Sequence, residues 1–74
     1  MQNHEYMTAC AMIISDLKNN GFNAKMSCGR ILVSLNRKLY SNEVRDALEM
    51  IGYDECQFRV FQFDKFAKVT PIIG

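Results

Sequence analysis

No tryptophan, one proline, one histidine and four glycines occur in the 74 residues of this chain, and several of these scarcities remove a class of function. The glycines stand at positions 21, 29, 52 and 74, too scattered for the glycine-rich loop that lets a backbone approach a phosphate chain. His4 is alone and close to the terminus, so there is neither a histidine pair for zinc nor a base held in a rigid surround. Cys10, Cys28 and Cys56 are odd in number, and their separations of 18 and 28 positions match neither a metal motif nor a disulfide framework. They are expected as reduced thiols at core-facing positions, packing as small hydrophobes. No cofactor and no metal is implied, and the missing catalytic constellation points away from an enzyme.

An excess of charge of one sign is missing as well. Nine Lys and Arg stand against eight Asp and Glu, a net charge of +1. That balance does not suit a protein that holds duplex DNA by neutralising phosphates, nor an acidic mimic of DNA. Met1-Gln2-Asn3-His4-Glu5 lacks the basic start and apolar run of a secretory leader, and no apolar stretch reaches membrane-spanning length. A cytoplasmic chain with no membrane partner is expected.

What the chain has in quantity is apolar side chains, 49% of its residues. A chain of this mass buries roughly 60% of its unfolded surface, which allows one core and one domain over 1–74, with marginal stability. Tyr6, Cys10, Ile13, Ile14 and Leu17 recur at three- and four-residue steps and predict an amphipathic helix over 5–20, ended by Gly21. Phe22, Ala24, Met26 and Cys28 then alternate with polar residues, and the alternation resumes as Ile31, Val33 and Leu35. The spacing predicts a hairpin with a type II′ turn at Gly29-Arg30, pairing Cys28 with Ile31, Met26 with Val33 and Ala24 with Leu35 on one face. Ser41 is the expected N-cap of a second helix, with Glu43 in its first turn, the stripe Val44, Ala47, Leu48 and Ile51, and Gly52 as its stop.

The segment 56–63 alternates through Cys56, Phe58 and Val60, after which Phe61 and Phe63 fall on the opposite face; either a bulge or cover on both faces would account for them. Residues 64–74 are expected to form a short edge strand or a flexible tail, with Pro71 limiting extension. The fold class is α+β: two helices packed on one face of a three- to four-stranded, mainly antiparallel sheet, in the order α-β-β-α-β(-β).

Two sets of side chains remain after the core is assigned. Leu32, Phe61, Phe63, Phe66 and Ile72 exceed what one small core hides, and a contiguous exposed patch of this kind marks an interface. They are the candidate partner-binding residues, with a homodimer as the leading form because symmetric dimers are the commonest oligomers. Arg30, Arg37, Lys38 and Arg59, interleaved with Tyr40, Phe61 and Phe63, form the second set; arginines and exposed aromatics on a sheet hold single-stranded nucleic acid.

The run Phe58-Arg59-Val60-Phe61-Gln62-Phe63 resembles a sheet motif of RNA-recognition domains, without that motif's glycine and without a strand ahead of the first helix. The succession of helix, Gly21-Phe22, strand, strand and helix resembles the layout of small HicA-type RNA-cleaving toxins. Those toxins rely on a histidine in the strand region, and none occurs between Glu5 and Gly74, so the resemblance implies no activity here. The expected function is that of a stand-alone interaction protein binding a protein partner stoichiometrically, a phage or mobile-element regulator or inhibitor such as an inhibitor of CRISPR defence. A single-stranded nucleic-acid binding module is the alternative.

Overall fold

Cys10, Ile13 and Leu17 recur on one stripe of the first helix, and all three are buried in the computed structural model, which describes residues 4–73. The readings of Met1-Gln2-Asn3 and Gly74 lie outside the described residues. The elements are α1 (His4–Asn19), β1 (Asn23–Ser27), β2 (Arg30–Ser34), α2 (Ser41–Ile51), a 3-10 turn (Glu55–Gln57), β3 (Phe58–Phe63) and β4 (Phe66–Pro71). They give the α-β-β-α-β-β order and the α+β class that the hydrophobic pattern predicts. All neighbouring strands are antiparallel, in the spatial order β1-β2-β4-β3.

Both helices end in the same way. The Phe22 N–H donates to the Leu17 carbonyl at 3.0 Å, and the Tyr53 N–H donates to the Leu48 carbonyl at 3.0 Å. Gly52, at φ 125°, makes the second closure without the strain a side chain would bring. The start of α2 differs from expectation by one position. Tyr40 is the cap residue, its N–H donating to the Glu43 carboxylate at 3.0 Å, and Ser41 is already helical. The Ser41 N–H is satisfied from elsewhere, by the Gln62 side-chain oxygen at 2.6 Å.

The β1–β2 hairpin forms with its turn at Cys28-Gly29 rather than Gly29-Arg30. Cys28 and Gly29 both have positive φ, 52° and 78°, as a type I′ turn needs and a type II′ turn does not. Met26 therefore faces Ile31 and Ala24 faces Val33. The slip of two residues keeps Ala24, Met26, Ile31 and Val33 on their predicted face, because side chains alternate with period two. It removes Cys28 from the core, however. Of the three cysteines only Cys10 is buried; Cys28 is exposed in the hairpin turn and Cys56 in the 3-10 turn.

Residues 66–71 correct a second expectation. They are neither an edge strand nor a tail: β4 lies inside the sheet, paired with β2 through Ile31–Val69 and with β3 through Val60–Val69. Ala67 and Val69 are fully buried, and this apolar content suits a strand with neighbours on both sides. Pro71 closes β4, where a missing N–H costs least. The core unites Cys10, Ile13 and Leu17 of α1 and Val44 and Leu48 of α2 with Ala24, Ile31, Val33, Phe58, Ala67 and Val69 of the sheet, and Leu39 of the connector completes it. Every strand residue in this set points to one side, so both helices cover the same face.

Candidate partner-binding face of the sheet

Alternation fixes what the other face carries. The register places Asn23, Lys25 and Ser27 of β1, Arg30, Leu32 and Ser34 of β2, Phe66, Lys68 and Thr70 of β4, and Arg59, Phe61 and Phe63 of β3 on the side away from the helices. Phe61 and Phe63 need no bulge, and they are shielded only in part, by Arg30, Lys68 and Phe66 on the same face. The strand alternates regularly, and each ring is 38% exposed.

One row across the sheet runs Lys25, Leu32, Lys68, Phe61. Its neighbour on one side pairs Phe63 with Phe66, stacked at 5.5 Å with ring planes 10° apart. On the other side Arg59 lies opposite Thr70, which stands next in register to Arg30. Cations and rings interleave: the Arg30 guanidinium lies 5.2 Å from the Phe61 centroid, and the Lys68 ammonium 5.5 Å from that of Phe63. Beneath the arginine row the Thr70 Oγ1 is buried without a hydrogen-bond partner.

No carboxylate projects from these twelve positions. They hold four of the nine Lys and Arg and none of the eight Asp and Glu; Asp64 lies beyond them, in the turn between β3 and β4. The remainder of the chain is left with five cations and eight carboxylates. At the β1 corner the face deepens into an open recess of about 340 Å³, lined by Lys18, Phe22, Asn23, Ala24, Lys25, Leu32 and Ser34.

The two sets of candidate residues meet here in part. Leu32, Phe61, Phe63 and Phe66 share the face with Arg30 and Arg59. Ile72 follows β4 near the arginine row, its N–H donating to the Gln57 carbonyl at 2.8 Å. Arg37 and Lys38 do not join them. Arg37 forms a two-pronged pair with Glu43, at 2.6 and 3.0 Å, and Lys38 lies over the Tyr40 ring at 5.2 Å. The Arg37 guanidinium and the Tyr40 N–H hold the Glu43 carboxyl down at about 2, so this charge pair serves the start of α2. Lys25, Lys68 and Thr70 went unnoticed in the sequence; Lys25 follows from the β1 alternation, whereas Lys68 and Thr70 needed the pairing of β4 with both neighbours.

Two titrating groups away from the face are shifted by their surroundings. The Tyr53 hydroxyl donates to Asp16 at 2.7 Å, joining the end of α2 to α1, and burial with this bond pushes Tyr53 up to about 12. Burial also raises the Cys10 thiol. Among the described residues no group of three or more His, Cys, Asp and Glu is placed to hold a metal, and no helix is long and apolar enough to cross a membrane. No protein family, no curated protein and no solved structure matches this chain.

Proposed function

We propose that this chain acts stoichiometrically, by binding, and that the outer face of its sheet is the binding surface. One observation carries the reading: a single uncovered face holds Lys25, Arg30, Arg59 and Lys68 among Leu32, Phe61, Phe63 and Phe66, with no carboxylate. A near-neutral total charge thus resolves into a positive face and a negative remainder. Such a separation orients an anionic partner toward the face and repels it elsewhere. A second copy of the chain is a poor occupant, since two such faces would bring like charges together. The partner in this reading is a macromolecule of negative surface charge, and the chain regulates or inhibits it in the cytoplasm by occupying it.

The test is affinity capture from a lysate of the encoding cell, at low and high salt and with nuclease treatment. The wild type is compared with Arg30→Ala/Arg59→Ala and with Arg45→Ala, an exposed cation on α2. Loss of the captured material from the double variant alone supports the face. Equal retention by all three proteins refutes it.

A further inference from the structure

We infer that the occupant of this face is a short single-stranded nucleic acid, with phosphate held by Arg30 and Arg59, bases laid on Phe61 and its neighbours, and one base received in the recess beside Lys25. The inference rests on the reading of the sheet face given above. It is favoured over an acidic protein by where the cations stand. The centre of a protein interface is depleted in lysine, because desolvating an ammonium there is costly, and charges gather at its rim. Here Lys68 occupies the middle of the sheet, between Leu32 and Phe61, and is already half-buried. Phosphates distributed between bases would pair with it and with the arginines while the bases took the rings.

Three further features agree. Arg30 and Arg59 stand on the strands either side of Thr70, so two guanidinium groups can turn to one phosphate over β4. Arg30 lies over the Phe61 ring, and ring faces and guanidinium planes both stack bases. The recess at the β1 corner has the volume of a small-molecule site and combines an aromatic wall, Phe22, with the Asn23 and Ser34 side chains, which can meet a base edge, and two lysines. Four strands span about 14 Å from β1 to β3, which suits a site near the lower end of the range for small single-strand binding folds, about four nucleotides.

The experiment is fluorescence anisotropy at low salt with labelled eight-nucleotide oligouridylate and oligothymidylate and, in parallel, with labelled polyglutamate, a duplex of equal length and unlabelled polyglutamate serving as competitors. Binding of either oligomer is expected, the two separating RNA from DNA, with weak competition by duplex and polyglutamate. Phe61→Ala should weaken binding about tenfold, as loss of one stacked base does, and Arg59→Ala should weaken it too, both with unchanged circular dichroism. Polyglutamate competing as well as the oligomers, or Phe61→Ala and Arg59→Ala leaving affinity intact, overturns the inference. Binding of polyglutamate alone, lost in Arg59→Ala, overturns the nucleic acid and leaves the anionic docking face standing. Binding of neither polymer removes both.

Discussion

Neutralising one cation of the sheet face should change how binding responds to salt. Each phosphate paired on a single strand releases condensed counterions, and log affinity falls with log salt by about 0.7 per phosphate. Lys25, Arg30, Arg59 and Lys68 are the cations on the face, so a full set of four contacts gives a slope of about −2.8. Between 50 and 200 mM salt that is a loss of about fifty-fold. Arg59→Gln leaves three contacts, a slope of about −2.1 and a loss of about twentyfold. Arg37→Gln is the control, because Arg37 is engaged by Glu43 at 2.6 Å and stands off the face. Anisotropy titrations of one oligomer at several salt concentrations measure all three slopes. A slope unchanged by Arg59→Gln, or reduced by Arg37→Gln, refutes the assignment of the contacts.

Two further expectations concern the scaffold. Tyr53→Phe removes the hydroxyl that joins α2 to Asp16 and should cost about 1 kcal/mol in urea unfolding at neutral pH. Because Tyr53 is raised above its ordinary value near 10, its contribution is full below pH 10 and is lost as pH rises through about 12; the wild type should lose stability over that window faster than Tyr53→Phe. The neighbours Ile31 and Leu32 should behave oppositely. Ile31→Ala opens the core opposite Val69 and should cost about 2–5 kcal/mol, whereas Leu32→Ala, on the outer face, should cost under about 1. Urea midpoints reversed between these two variants would mean that the faces of the sheet are misassigned.

Much of this was legible in the residues themselves. The helical stripes and the glycine stops located both helices, and period-two alternation assigned most strand side chains to a face even where the turn was displaced by one residue. That displacement illustrates the limit. Gly29 is compatible with the first position of one two-residue turn and the second of another, and choosing between them required Cys28 to accept a positive φ. Nor could the place of β4 be deduced locally. A strand of Phe66, Ala67 and Val69 near the terminus is as consistent with an edge as with the interior, and only the β2-β4-β3 pairing brings Lys68 between Leu32 and Phe61. The charge segregation was hidden for the same reason. Composition sums over the chain, and a sum near zero does not distinguish mixed charges from separated ones. The two candidate sets, one apolar and one basic, looked like rival functions in one dimension and become neighbours on one face in three.

That convergence bears on self-association, which the apolar set alone would favour. The outer face measures about 19 by 20 Å from strand spacing and residue rise, roughly 400 Å² per copy, against about 800 Å² per partner in a stable interface. Face-to-face pairing would also bring eight cations together with no carboxylate between them, and the repulsion grows as salt is lowered. The chain should therefore sediment as a monomer at about 10–100 µM in low salt, and Phe61→Asp should leave its mass unchanged while placing a carboxylate opposite Lys68. The same substitution should weaken oligonucleotide binding by more than Phe61→Ala, because it removes a ring and opposes phosphate. A dimer in low salt that Phe61→Asp converts into a folded monomer would reverse the conclusion, since the rings would then be buried by a second copy and the cations would stand at its rim.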